Sequence, residues 1–449
     1  MAFPKDFVWG AAAASYQIEG GAYDDGKGLS VWDMMCRRPG AIFEGNTGDV
    51  SCDHYHRYEE DAALMGEIGL NAYRMSISWP RVLPEGTGSV NQKGIDFYSK
   101  LVDALLENGV DPWISLFHWD YPYALYKRGG WLNPASSDWF ADYTMVIMEA
   151  LSDRVTHWMT QNEPQCFLGL GHYDGYHAPG LKLIFSDILQ ATHNALLAHG
   201  KSVQMIRAHS KSKALVGAAP VGITHLPASG SKKNIEAARA TMFAIVEKDY
   251  WNNTWYSDPM LLGHYPEDGL KLFEADLPDI KQHDMKTICQ PLDFYGANMY
   301  WADKYKAGKK GPEKLKRDDG YPITTMDWPV TPDILYWGPK FFYDRYKLPI
   351  VVTENGIATN DWVHLDGAVH DPQRIDYIAR YLGAFKRAMD DGVEAWGYFV
   401  WSIMDNFEWA YGYKQRFGLI HCDYQTKKRT LKDSALWYKD VIRADGEHI

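Results

Sequence analysis

Eight short apolar runs, each followed by at least one stretch with helical spacing, constrain this chain more than any other feature. The runs cover 7–14, 71–78, 112–118, 157–162, 214–220, 293–300, 350–354 and 395–401. Each has strand length, and most are mainly apolar. The segments 55–68, 93–108, 137–152, 186–209, 235–250, 333–346, 371–390 and 432–443 carry apolar residues at helical spacing. Strand alternating with helix implies parallel pairing through right-handed crossovers. Closing eight such units on themselves satisfies every edge, so the expectation is an α/β chain folded as a single (β/α)8 TIM barrel, one domain over 1–449. The rival is an open doubly wound sheet. It would be favoured by a glycine fingerprint after a strand, and neither GxGxxG nor GxxxxGK[ST] occurs.

In such a barrel the chemistry sits where strands end. The strand "LPIVVTENG" illustrates this: an apolar run stops on Glu354 and Asn355. The same pattern recurs along the chain. The first strand leads into Gln17 and Glu19, the second carries Arg74, and the third ends on His118 and Trp119. The fourth ends on Asn162 and Glu163, the sixth on Asn298 and Tyr300. The eighth ends on Trp401, with Glu408 and Trp409 in the loop after it. Acid, amide, imidazole, guanidinium and aromatic groups at one rim describe a cup.

"TQNEP" (160–164) and "TENG" (353–356) share a design, a Glu beside an Asn at the end of a buried strand. Strands four and seven could aim both carboxylates into one cleft. Two carboxyls flanking a bond are what glycoside hydrolysis needs: one protonates the leaving oxygen, the other attacks the anomeric carbon or activates water. A separation of about 5–5.5 Å means attack and retention, and about 6.5–9.5 Å leaves room for water and means inversion. The residues alone leave that choice open.

"TQNEP" and "TENG" resemble the acid/base and nucleophile signatures of glycoside hydrolase family 1, the β-glucosidase family. The similarity continues in "FVWGAAAASYQIEG", "NAYRMSISWPR", "LFHWDYP", "DFYGANMY" and "WSIMDNFEWAYGYKQRFGL", in the family's order, over nearly the whole chain. The resemblance implies a single (β/α)8 barrel and a retaining, exo-acting β-glucosidase. Such an enzyme removes terminal non-reducing β-D-glucosyl residues through a covalent glycosyl-enzyme, with β-galactosidase or β-fucosidase side activity. The alternatives are a transglycosylating β-glucosidase, or a non-catalytic sugar-binding barrel, which would be expected to lack one of the two carboxylates.

The resemblance also implies roles. Glu354 is the nucleophile, countered by Arg74 and hydrogen-bonded by Tyr300, with Asn298 in support. Glu163 is the acid/base, its pKa raised by an ionised Glu354 and partial desolvation to roughly 6–7. Asn162 bonds the 2-hydroxyl. Gln17, His118 and Glu408 bind hydroxyls beside Trp409, and Trp401 is the flat floor. Glu408 as a carboxylate would repel a 6-phosphate. Gln165, after the acid motif, and Tyr121, Tyr123 and Tyr126 depart from what relatives show and are expected to border the aglycone site.

Composition closes off other classes. A net charge of −12 disfavours nucleic acid. No apolar run reaches about 18 residues, so no membrane span is expected. The start "MAFPKDFVWG" lacks a charged segment followed by an apolar one. Five scattered cysteines without a CxxC pair suit a reducing cytoplasm. Aromatics at 14% fit either a large core or a site lined with flat rings. The partners expected are small β-glucosides and cello-oligosaccharides. No cofactor or metal is expected: His54 and His56, with one residue between them on a helix, face different ways. Cys166 reads as packing, and the mixed charge run 306–320 as a solvated loop.

Overall fold

The computed structural model describes residues 2–447 and 449. All eight expected strands form: Val8–Ala12, Ala72–Ser76, Asp111–Phe117, His157–Asn162, Leu215–Ala219, Phe294–Asn298, Ile350–Asn355 and Ala395–Trp401. Every neighbouring pair is parallel, and the first strand pairs with both the second and the eighth, so the sheet closes into a (β/α)8 barrel. Strands four and seven are separated by strands five and six. The strands are buried on both faces, the pattern of a sheet with helices outside and side chains filling its interior.

Large rings fill the interior, and glycines make room for them. Trp113 lies flat on His157 at 4.0 Å and meets Phe294 and Phe399 at 5.4 and 5.2 Å. Phe399 leans over Gly10 on the adjacent strand, and Phe294 over Gly217. A Cβ at Gly217 would stand 2.2 Å from the Phe294 ring. The barrel is thus plugged below its rim, and ligands can approach only from above.

The expected helices match within a few residues, with one exception. Segment 235–250 is helical only over Lys232–Phe243. Side chains from elsewhere cap the departing chain: Asn253 donates to the Met242 carbonyl at 2.9 Å, and Asp268 accepts from the Ile245 N–H at 2.8 Å. The residues that follow form a loop over the rim. The charge run 306–320 also departs from expectation. Its first part forms a hairpin, Ala302–Gly308 with Gly311–Lys314, to which Thr224–Pro227 adds as a third strand. Its mixed signs are cross-strand pairs, Lys314–Asp303 at 2.6 Å and Lys306–Glu313 at 3.1 Å, and a two-residue turn between glycines joins the strands.

A buried ion network fixes the loops after strands seven and eight. Lys432, at the start of helix Asp433–Arg443, contacts Asp405 at 2.7 Å and Asp361 at 2.5 Å. Arg374 contacts Asp361 at 2.8 Å, and Arg416 contacts Asp405 at 2.6 Å. Asp405 lies three residues before Glu408, so this network holds one side of the cup.

Gly217→Ala is expected to destabilise the protein by about 1–3 kcal/mol through the Phe294 clash, read as a lower Tm. Gly230→Ala, where no atom lies within 4 Å, should stay within about 0.5 kcal/mol of the parent.

Candidate active site

The polar strand ends converge. Strand four finishes at Asn162, and Glu163 then turns with a φ of 46° while its N–H still bonds the Ala219 carbonyl of strand five at 2.8 Å. Trp119 and Trp409 also take positive φ, 78° and 47°. Non-glycine residues hold this conformation only where surroundings enforce it, and such residues cluster at working sites. Pro164 and a π-helical turn, Gln165–Tyr173, then carry the chain away from the rim.

One hydrogen-bonded chain joins the two carboxylates. Arg74 donates from Nη1 to Glu354 Oε1 at 2.5 Å and from Nη2 to Asn162 Oδ1 at 2.5 Å. Asn298 Nδ2 donates to the same Asn162 oxygen at 3.0 Å and to Glu163 Oε1 at 2.9 Å. Thr353 fixes the Asn298 amide by donating to its oxygen at 2.6 Å. Tyr300 donates to Glu354 Oε2 at 2.7 Å. Because Asn162 accepts through its oxygen, its nitrogen must donate to His118 Nε2 at 3.0 Å, which leaves Nδ1 as the ring's donor. Gln17 donates to Asn406, to the Phe407 carbonyl and to Glu408, at 3.0, 2.9 and 3.4 Å. Its side-chain oxygen, Oε1, is buried without a partner.

Electrostatics separate the carboxylates. Burial, then the charge of Glu354, pushes Glu163 up to about 8, and its amide partner Asn298 only partly opposes this. Burial also leaves Glu354 raised, with Arg74 and then Tyr300 opposing part of the rise. With a guanidinium on one oxygen and a phenol on the other, Glu354 is the member that ionises first. Glu408 is a third acid in the same space, pushed up to about 8 by burial and by Glu354 and Glu163. That shift disfavours the anion in the free site and so weakens the charge repulsion of a 6-phosphate expected from sequence. Burial and Arg74 hold His118 well below the usual imidazole range, hence neutral.

These groups border a cavity of about 620 Å³. His118, Glu163, Asn298, Tyr300 and Glu354 line it, together with Trp401, Glu408 and Trp409. Gln17, Arg74 and Asn162 lie just behind that surface, buried. His118 stacks against Trp401 and Trp409 at 5.8 and 5.9 Å. Among the described residues no group of His, Cys, Asp and Glu is arranged to hold a metal ion, and no helix is long and apolar enough to cross a membrane.

The profile described as Glycosyl hydrolase family 1 matches residues 1–447. The chain belongs to glycosyl hydrolase family 1. It is an enzyme, a glycoside hydrolase. It is 44% identical over 453 aligned positions to β-glucosidase A of Acetivibrio thermocellus, covering 99% of each. It is 38% identical to a bifunctional β-D-glucosidase/β-D-fucosidase of Bifidobacterium breve, covering 98% of each. A solved structure of β-glucosidase from Thermotoga maritima in complex with glucoimidazole superimposes with a TM-score of 0.91 at 42% identity, over 99% of both chains.

Within this family 1 fold, the residues expected at the aglycone border lie elsewhere. Tyr121 is buried against Trp79 and Trp131, at 5.3 and 5.0 Å. Tyr123 and Tyr126 stack on each other at 5.7 Å. None of the three lines the cavity, because the loop after strand three folds outward and bridges Ser30 through Pro122. Gln165 stands behind the wall. It accepts from the Val221 N–H at 3.2 Å and donates to the Asn252 carbonyl at 3.3 Å, clamping two rim loops together. The residues lining the cavity include instead Trp328, Trp301, Met326, Val221, Ile223 and Trp251. These sit in irregular segments, where sequence periodicity gives no signal. Asn406, the partner of Gln17, lies inside the quoted "DNFEW" stretch and could have been found there.

Glu408 yields a stability test. Its folded pKa of about 8 lies above the ordinary value of 4.5, so the unfolded chain loses this proton first and the associated stability drains away as pH rises from about 4.5 to 8. Glu408→Gln removes that burden. It is expected to raise Tm at pH 7, by up to ~3 kcal/mol of stability, with the gain vanishing below about pH 4. An equal gain at pH 4 and pH 7 would contradict it.

Proposed function

We propose that the chain is a retaining, exo-acting β-glucosidase working as one catalytic unit, with Glu354 as nucleophile and Glu163 as acid/base. The observation that carries this reading is the unequal surroundings of two carboxylates in one cup. Glu354 is ion-paired to Arg74, whereas Glu163 has an amide and a pKa pushed up to about 8. One is kept ready as an anion and the other as an acid.

In the first step a Glu354 oxygen attacks the anomeric carbon, the bond to the leaving oxygen breaks, and the Glu163 proton passes to that oxygen. Glu354 is then an uncharged ester. Its field on Glu163 disappears, and Glu163 can accept a proton from water. In the second step the water oxygen attacks the anomeric carbon, its proton goes to Glu163, and the ester bond breaks. Two inversions give net retention. Asn162, held by Arg74 and His118, is the group for the 2-hydroxyl. Gln17, His118 and Glu408 serve the other hydroxyls beside Trp409, with Trp401 against the apolar face of the ring. The substrates are small β-glucosides, cello-oligosaccharides among them. The relative named for both glucoside and fucoside supports side activity on β-fucosides, and β-galactosides belong to the same proposal.

Proton spectra of newly released glucose should show the β anomer first, and the α anomer first would overturn retention. Glu354→Ala is expected to lose on the order of 10⁴-fold or more in kcat, with azide restoring turnover and giving the α-glycosyl azide. Glu163→Ala should still react with activated aryl glucosides and give the β-glycosyl azide. The same azide anomer from both variants would refute the assignment of roles.

The pH dependence follows from the same asymmetry. kcat/KM should fall above about pH 8 as Glu163 loses its proton, and at acid pH as Glu354 gains one. With an activated leaving group, Glu163→Gln should flatten the alkaline limb and leave the acid limb in place. An alkaline limb unmoved by this substitution would assign it to another group.

A further inference from the structure

Of the two side chains that bond the Glu354 oxygens, Arg74 stands inside a strand paired on both sides. Tyr300 does not. It follows strand Phe294–Asn298 by two residues, in the irregular link to the side-sheet strand Ala302–Gly308. Its phenol nevertheless reaches Glu354 Oε2 at 2.7 Å. Holding that bond requires the link itself to be held.

The grip comes largely from outside the barrel. Helix Pro372–Asp390 turns Tyr377 and Tyr381, one turn apart, toward the link, and their rings stack at 3.8 Å and 19°. Both hydroxyls donate to the Tyr300 carbonyl, at 3.1 and 3.2 Å. A phenol carries one proton. The Tyr377 oxygen accepts from Asn355 Nδ2 at 3.2 Å, and the Tyr381 oxygen accepts from the Thr331 N–H at 2.8 Å. Each is left with its single proton for the Tyr300 carbonyl. Burial keeps both phenols protonated, with Tyr381 pushed up to about 12. The residue before is fixed as well. The Met299 N–H donates to the Glu354 carbonyl at 2.9 Å, and the Met299 carbonyl accepts from Asn355 Nδ2 at 2.6 Å. Tyr398 orients that amide by donating to its oxygen at 2.8 Å.

Packing alone would ask only for the two rings, and a pair of phenylalanines would fill the same space. The hydroxyls add what packing does not need. Two buried donors converge on one carbonyl, and that carbonyl belongs to the residue whose phenol holds Glu354.

We propose that Tyr377 and Tyr381 are positioning residues for the reaction, holding the Tyr300 phenol against Glu354 through the Tyr300 carbonyl. This rests on the reading of Glu354 as nucleophile. The consequence is electrostatic. The phenol opposes part of the rise that burial imposes on Glu354, so loosening the phenol lets Glu354 take up its proton at higher pH.

The test is a mutant cycle read as pH profiles of kcat/KM on a nitrophenyl β-glucoside. Tyr377→Phe with Tyr381→Phe keeps the stacked rings and removes both donors. The pair is expected to lower kcat/KM about tenfold at the pH optimum, mainly through kcat, and to move the acid limb to higher pH. Tyr300→Phe should produce the same two changes in larger measure. Added to Tyr300→Phe, the pair should cost less than about twofold and move the acid limb no further. A loss that persists undiminished in the Tyr300→Phe background would overturn the proposal, because a merely structural role does not depend on the Tyr300 hydroxyl. An acid limb left in place by the pair would overturn it too. Near-ultraviolet circular dichroism matching the parent certifies folding. Should the pair fail to fold, each single Phe variant runs the same cycle, with about threefold expected in place of tenfold. Parent-level turnover by Glu354→Ala would instead defeat the nucleophile assignment beneath the proposal.

Discussion

One guanidinium organises the site. Arg74 is buried, and its two terminal nitrogens reach Glu354 and Asn162. Three acids, Glu163, Glu354 and Glu408, share the space above it. Burying a carboxylate without a counter-charge is expensive, and such groups respond by keeping their protons. Only Glu354 receives the counter-charge, so only Glu354 is directed toward ionisation. Burial raises all three; Arg74 opposes that rise at Glu354, while the charge of Glu354 adds to it at the other two. A single guanidinium thereby makes three similar side chains unequal. It also orients Asn162, which in turn fixes the His118 tautomer.

The barrel was readable in the sequence because its signals are local and repeated. Each strand is a short buried run, each helix an apolar stripe, and the polar residue ending a strand marks the rim. The rim residues of strands two, three, four, six and seven came together because register in a closed barrel leaves no freedom to slip. The hairpin at 302–314 was not legible for a complementary reason. Its strands are stabilised by cross-strand charge pairs on an exposed ribbon, and a run of Lys, Glu and Gly carries no apolar period. The tyrosines after strand three misled for a third reason. Closeness in sequence to His118 says nothing about which way a loop folds, and Trp79 and Trp131 draw Tyr121 into the core.

This contrast divides the cavity into an inner and an outer part. The inner part is built from strand ends locked by the barrel's hydrogen-bond ladders. The outer part is built from loops and a side sheet whose positions depend on contacts such as the Gln165 clamp between Val221 and Asn252. Substitutions in the outer part can alter which leaving group fits without disturbing the bonds around Glu163 and Glu354. The side activities of related enzymes concern the sugar and so the inner part.

The ion network around Lys432 has a consequence for how the molecule comes into being. Seven strands emerging from a ribosome have two unpaired edges until 395–401 is made. Even then the segment bearing Glu408 lacks the lysine that anchors Asp405. The segment that carries Glu408 therefore gains this anchor only once translation has passed residue 432. Assembly of the binding cup thus joins Gln17 and Arg74 to an anchor made more than 350 residues later.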